Sequence, residues 1–576
     1  MSNDESADLT KPKLGDVQIR WGVRFPLRDG VELSAILYLP VDPDGPAPAI
    51  FTMTPYIAQS HHQQGVYYAA RGYPFLSVDV RGRGNSEGRF HPRNEAEDGY
   101  DIVEWLAQQP YCNGKVAGWG LSYMGYCQWA AARERPPHLA TIVPAAAPFR
   151  GVDSPLRNNV FTPYTMQWLM VVAGRTSQER MFVDRTFWNQ KFRQWFEAGL
   201  PFRQLDTFLG NSSSLFQEWI SHPHRDAYWD SYNPTAEQYA KLALPILTIT
   251  GIYDADQLGA LAHYREHMRS ASAAARAEHY LVIGPWDHSG TCAPKAEFGG
   301  IKVGPAGLLD LAELHAQWYA WRMRGAAKPA FLRKKVAYYV MGAETWRYAD
   351  TLEAVTARFD PLRLQVAHNP TDVFHSGVMT RELPSGNSPH SYIYDPRDLS
   401  LAQLESTVDS ESLIDQRMVL AGRGRQLVYH SALFTESVEI AGFFRLLLWL
   451  SIDQPDTDVR ACVYEVAPDG SAIILTADWI RARYRESFRE EKLIDTHAPL
   501  NYRLEHFQFV SRRLDAGSRL RLVIGPLNSI HWQKNYNSGG VVADETVHDA
   551  RTVTVKLFSD AEHPSTLYVP LGVEAV

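Results

Sequence analysis

The stretch Lys115-Val116-Ala117-Gly118-Trp119-Gly120-Leu121-Ser122-Tyr123-Met124-Gly125 constrains the chain more than any other. It reads as a short buried strand, a glycine-pinched corner at Ser122, and a helix from Tyr123 through Cys127-Gln128-Trp129-Ala130-Ala131-Ala132. A serine at such a corner stands clear of both elements, with the helix N-terminus beneath its hydroxyl, as in a nucleophile elbow. Glycines at 120 and 125 let the backbone bend sharply and the helix pack close to the strand. The spacing departs from G-x-S-x-G, because Met124 occupies the place of the last glycine and Gly125 comes one position late. A serine that merely caps a helix fits this local pattern equally well.

Before the corner, Val17–Phe25 and Val31–Leu39 alternate around Asp29-Gly30, a hairpin signal. Ala47–Thr54, Pro74–Val80 and Leu139–Pro144 are continuous apolar runs, separated by helical spacing near Glu97–Gln108. Strands covered on both faces and alternating with helices predict a parallel sheet. Between 151 and 242 the strand rhythm stops. Aromatics at helical spacing, among them Phe161, Tyr164, Trp168, Trp188, Trp195, Trp219 and Trp229, predict a helical cap over the carboxyl ends of the strands. Most of these rings are expected to glue cap to core, with some lining a substrate pocket. The sheet resumes at Leu244–Gly251 and Glu278–Pro285, and Gly307–Arg324 reads as a closing helix. Thereafter short runs such as Lys335–Val340, Phe443–Leu450, Val459–Val466, Ile473–Thr476, Leu520–Ile524 and Thr552–Phe558 follow without helices. They predict a β-sandwich of jelly-roll type.

The expected fold class is therefore α/β: an α/β-hydrolase domain with a helical cap insertion, plus a C-terminal β-sandwich. Its boundaries are a disordered 1–14, a hydrolase domain at 15–150 and 243–325, a cap at 151–242 and a jelly roll at 326–576. A length of 576 residues calls for two or three cores. The net charge of −8 gives no electrostatic reason to expect nucleic acid or an anionic membrane as partner. The acidic start, Met1 to Asp8, has no apolar leader, and no run reaches the roughly 18 apolar residues of a membrane span. Cys112, Cys127, Cys292 and Cys462 lack metal-ligand spacing and read as buried thiols of a reducing compartment. The expectation is a cytoplasmic protein without metal or cofactor whose partner is a small-molecule ester or amide; a homo-oligomer is left open.

A serine hydroxyl needs a base, and the base an orienting acid. In α/β-hydrolases they follow in the order Ser, Asp or Glu, His. Asp254 follows one late strand in Gly251-Ile252-Tyr253-Asp254, and His288 follows the next in Gly284-Pro285-Trp286-Asp287-His288. Asp256 competes with Asp254. The backbone N–H of Tyr123 is one expected oxyanion donor. The loop after Ile50–Thr54 offers the Tyr56 hydroxyl as a second.

Together Thr54-Pro55-Tyr56, Asp79-Val80-Arg81-Gly82-Arg83-Gly84-Asn85-Ser86-Glu87-Gly88, Gly120-Leu121-Ser122-Tyr123-Met124-Gly125, Gly251-Ile252-Tyr253-Asp254 and Gly284-Pro285-Trp286-Asp287-His288-Ser289 resemble one group. It is the cocaine esterase-like (CocE/NonD) serine hydrolases, related to α-amino acid ester hydrolases, glutaryl-cephalosporin acylases and X-prolyl dipeptidyl-peptidases. Ala467–Ala472, Ile480–Glu486 and Asn535–Gly540 resemble its C-terminal domain, so the likeness spans nearly the whole chain. In this group the elbow is G-x-S-Y-x-G, and the late Gly125 becomes the expected pattern. The resemblance implies Ser122 as nucleophile, His288 as base, Asp254 in preference to Asp256 as orienting acid, and Tyr56 with Tyr123 as the oxyanion hole.

Two departures matter. Ile57 stands where the group often has Asp after the oxyanion tyrosine. Members that take α-amino acyl groups have two carboxylates where this chain has Asp256 and Gln257, so their ammonium-binding cluster is incomplete here. The expected activity is hydrolysis of carboxylic esters through an acyl-enzyme, with an apolar or aromatic acyl group. Amide or peptide hydrolysis and biosynthetic acyl transfer are the alternatives.

Overall fold

The computed structural model describes residues 15–41, 43–366, 368–384 and 389–573; the expectation for 1–14 lies outside them. Two large sheets organise the chain. The first comprises β1 (Val17–Pro26), β2 (Glu32–Pro40), β3 (Ala47–Thr54), β4 (Phe75–Asp79), β5 (Cys112–Leu121), β6 (Leu139–Ala145), β7 (Ile246–Tyr253), β8 (His279–Asp287), β9 (Val336–Val340) and β10 (Thr345–Ala349), in the order β1-β2-β4-β3-β5-β6-β7-β8-β9-β10. From β4 through β9 every neighbouring pair is parallel; the β1–β2, β2–β4 and β9–β10 pairs are antiparallel. The apolar runs of β3, β4 and β6 to β8 are buried along almost their whole length, as strands with helices on both faces must be.

One boundary needs correction. The run at 336–340, placed above with the C-terminal strands, pairs parallel with β8 through Leu281↔Val336 and Ile283↔Tyr338. All five residues are buried, so this strand is covered on both faces like its neighbours and does not alternate as an outer sandwich strand would. The first sheet therefore extends to Ala349.

Between β6 and β7 the chain forms short helices, including α4 (Tyr164–Val171) and α5 (Arg185–Ala198), packed on buried Trp188, Trp195, Trp219 and Trp229. Beyond β10 a 13-stranded assembly closes over an aliphatic core that includes Leu446, Leu448, Val463, Leu522 and Val555. Its strands include Arg445–Ile452, Asp458–Val466, Ala472–Arg481, Arg519–Pro526 and Val553–Phe558, close to where the alternation predicted them.

The second assembly is clamped to the first beside the end of β7. Gln257 opens α6 (Gln257–Ser270) and is fully buried. Its amide donates to the carbonyls of Gly251 (3.0 Å) and Ile252 (2.9 Å) and accepts from the Phe509 N–H at 2.6 Å. Gln508 donates to the Asp254 carbonyl at 2.8 Å. Replacing Gln257 by Leu leaves these buried groups unpaired, at roughly 1–3 kcal/mol each where no water enters. Gln257→Leu is expected to lower the unfolding free energy by about 2–4 kcal/mol in chemical denaturation. A loss below about 0.5 kcal/mol would remove the clamp from this account.

Candidate active site

Ser122 joins β5 to α3 (Tyr123–Arg133) with φ 58 and ψ −126, a conformation an L residue with a side chain adopts only under constraint. Its N–H donates to the Ala145 carbonyl at 2.9 Å, and its carbonyl accepts from Tyr126 at 3.0 Å. The two glycines earn their places by contact. A Cβ on Gly120 would lie 2.3 Å from the Met124 Cβ, and one on Gly125 would lie 2.7 Å from the Ala145 carbonyl oxygen. Ser122 stands at the N-cap of α3, but its side chain makes no capping bond to the helix.

Asp254 and His288 meet as their positions at the ends of β7 and β8 require. His288 Nδ1 lies 2.7 Å from Asp254 Oδ1. The fully buried Asp254 also accepts from Thr250 Oγ1 at 2.8 Å and from the Asp256 N–H at 3.0 Å, which fixes its plane. Asp256 is the outer carboxylate, 3.9 Å from His288 Nδ1. Burial lowers the His288 imidazole, but the Asp254 hydrogen bond and the charges of Asp254, Asp256 and Asp287 override it and raise it to about 9. Burial raises Asp256 to about 6, against the pull of His288 and Arg150 and a hydrogen bond from Ser122.

Tyr56, the proposed hydroxyl donor, accepts a 2.9 Å hydrogen bond from the Trp168 indole N–H, and burial pushes its phenol up to about 12. Ile57, where the group often has Asp, takes φ 74, a costly value for a β-branched residue. Tyr123 follows the serine at the first turn of α3. Its phenol donates at 2.5 Å to Glu95, a buried carboxyl raised by desolvation to about 8.

Sequence reasoning missed three residues here. Arg150, 3% exposed, holds its guanidinium 5.2–5.7 Å from the rings of Tyr123, Tyr126, Trp168 and Trp219. Asp153 accepts from the N–H groups of Phe149 (2.9 Å) and Gly259 (2.5 Å); burial, then the charges of Asp256 and Asp254, hold its carboxyl well above the usual range. Arg83 is wholly buried and donates to Pro55, the residue before Tyr56, at 2.7 Å. Arg83 lies within the Asp79–Gly88 motif, but the sequence assigned none of the three a role. Among the described residues no cluster of three or more His, Cys, Asp or Glu side chains could hold a metal ion, and no helix is long and apolar enough to cross a membrane.

Residues 29–290 match the X-Pro dipeptidyl-peptidase (S15) family, and residues 333–565 match the C-terminal non-catalytic domain of X-Pro dipeptidyl-peptidases. The chain is 26% identical to a cocaine esterase of Rhodococcus sp. (strain MB1 Bresler), over 97% of this chain and 99% of that one. Among solved structures it is similar in fold to an α-amino acid ester hydrolase (TM-score 0.81, 21% identity, 99% of this chain and 100% of that one). An aminopeptidase of a marine sediment Thaumarchaeota archaeon matches at TM-score 0.81 and 21% identity, over 100% of both chains.

The negative charge of Asp256 favours the imidazolium form of His288, the form that cannot act as base. Asp256→Asn removes that charge, so the acid limb of kcat/KM is expected to move to lower pH, toward the ordinary histidine value. A limb that stays put or moves up would show that Asp256 does not set the His288 titration.

Proposed function

We propose that the chain is a cocaine esterase-like serine hydrolase acting on esters, related to the X-Pro dipeptidyl-peptidase (S15) family that its residues 29–290 match, and that Ser122 is its nucleophile. The observation that carries this reading is the 2.7 Å contact between His288 and the buried Asp254, at the same edge of the sheet as the strained serine. Asp254 holds the Nδ1 proton of His288, so Nε2 is the free base. Ser122 gives its proton to Nε2 and adds to the ester carbonyl. The oxygen of the tetrahedral adduct takes hydrogen bonds from the Tyr123 N–H and the Tyr56 hydroxyl. The imidazolium then protonates the departing alcohol, and water repeats the sequence on the acyl-enzyme.

The finer fold assignment is part of the same proposal. The strand order of the first sheet, with its crossing at β4-β3, supports an α/β-hydrolase domain. The helical insertion reaching Tyr56 through Trp168 supports a cap, and the mainly antiparallel C-terminal pairing supports a jelly roll. Free Cys112, Cys127, Cys292 and Cys462 support a reducing, cytoplasmic setting. Trp168, Phe90 and Trp219, grouped beside Tyr123, support an apolar or aromatic acyl group.

One observation favours a second reading. Asp256 lies beside the Asp254–His288 pair, 3.9 Å from His288 Nδ1, so an α-ammonium on an acyl group bound there would meet a carboxylate. Gln257 contributes nothing to such a subsite, because its amide is spent on Gly251, Ile252 and Phe509.

Ser122→Ala is expected to cut p-nitrophenyl ester turnover by about ten-thousand-fold with an unchanged melting temperature. Labelling of the wild type, but not of this variant, by a fluorophosphonate checks the same point. Retained turnover ends the proposal. With 3-phenylpropionyl and phenylalanyl esters of one alcohol, the first reading expects the amine-free ester to be turned over at least as fast. A tenfold or greater preference for the amine, lost in Asp256→Asn, would establish the second.

A further inference from the structure

A phenol has one proton to give and two lone pairs to offer. In Tyr56 one lone pair is taken by the Trp168 indole N–H at 2.9 Å. An indole N–H can only donate, so Trp168 cannot draw the phenolic proton toward itself, and that proton is left to point elsewhere. Trp168 sits on α4 of the helical insertion, 112 positions from Tyr56, and its ring stacks at 5.5 Å and 28° on Tyr123, the residue that carries the other oxyanion donor.

The backbone side of Tyr56 is tied to the same helix. Arg83 donates through Nε to the Pro55 carbonyl at 2.7 Å. Through Nη2 it donates to Val171 and Thr176 at 3.1 Å, and through Nη1 to Gly174. Val171 closes α4, and Gly174 and Thr176 follow it, where helix carbonyls lack intrahelical partners and suit a cation. One fully buried guanidinium therefore joins the peptide before Tyr56 to the end of the helix that carries Trp168.

We infer that Trp168 is a positioning residue that aims the Tyr56 hydroxyl at the oxyanion, and that the helical insertion thereby becomes part of the oxyanion hole. The inference rests on the Ser122 reading above. Its consequence is that catalysis is coupled to docking of the insertion: where α4 lifts, the tyrosine loses both its aim and its backbone tie. Tyr56 needs this external support because Ile57 beside it occupies a disfavoured backbone conformation. A ring that only filled space would bind the acyl group and leave the turnover step alone.

The test replaces Trp168 by Phe and, in a second protein, by 3-benzothienylalanine, which keeps the fused ring and lacks the N–H. Removal of a whole oxyanion donor costs about 10²–10³-fold in kcat; misaiming one is expected to cost about tenfold. Both proteins should lose about tenfold in kcat for a p-nitrophenyl ester, with KM within about twofold. The affinity for an arylboronic acid, which forms a tetrahedral adduct on the serine, should fall by the same factor. In a Tyr56→Phe background, Trp168→Phe should add less than about twofold. A benzothienyl protein with wild-type kcat and boronate affinity overturns the inference, as do Trp168→Phe and Tyr56→Phe effects that simply multiply. Absence of ester turnover and of fluorophosphonate labelling in the wild type would instead remove the Ser122 reading, and this inference with it.

Discussion

Everything at the site depends on holding Ser122 in a backbone conformation that it would not adopt alone. Such a residue costs on the order of 1–3 kcal/mol, so its surroundings must over-determine it. They do so from both sides. The strand side supplies the Ala145 carbonyl, and the helix side supplies Tyr126. Between them lies the buried amide of Gln128, which accepts from Val143 at 2.8 Å and donates to Gly120 at 3.0 Å and Val143 at 3.1 Å. One side chain on α3 thus binds the last turns of two adjacent strands. Glycine at 125 is a consequence: the helix that carries Gln128 comes so near β6 that a methyl group at that position would meet the Ala145 carbonyl.

This dependence explains what the sequence disclosed. The elbow, the Asp254 loop and the His288 loop are local patterns, each a strand end followed by turn-forming residues, and local patterns survive in a linear reading. The parallel sheet was legible for the same reason. What stayed hidden are contacts between distant positions. Trp168 and Tyr56 are 112 positions apart, Arg83 and Gly174 91 apart, and Gln257 and Phe509 252 apart. Nothing in the spacing distinguishes Arg83 from Arg81, which forms an ion pair with Asp98 at 2.7 Å. The strand at Val336–Val340 was misplaced because a short apolar run looks the same in either sheet. Only its partner, β8, assigns it.

Gln257 shows how a departure from a family pattern can be read in sequence as a want of charge and still be understood only in three dimensions. As a missing carboxylate it weakens an ammonium subsite. In the structure it is also a clamp: its amide offers both donor and acceptor to the Phe509 peptide and spans the end of β7. A carboxylate there would accept from the Phe509 N–H but could not donate to the three carbonyls around it. Recruiting the C-terminal assembly to hold the Asp254 loop and keeping a carboxylate at 257 are competing uses of one position.

The remaining electrostatics bear on the proposed preference for an ester whose acyl group carries no amine. Asp153 and Glu95 are held above the usual carboxylate range by burial, so both keep a proton more readily than a surface acid would. Asp254 is committed to His288, Thr250 and the Asp256 N–H. Among the described residues of the site, Asp256 is the carboxylate left to meet an ammonium, and it already faces the charges of His288 and Arg150. A cation entering there would be repelled by Arg150, which is buried among Tyr123, Tyr126, Trp168 and Trp219 and cannot swing into water. The same ring of aromatics offers a neutral, planar acyl group a surface on which to stack. The outer carboxylate Asp256 then has His288 and Arg150 as its charged neighbours, and its charge favours the imidazolium form of His288.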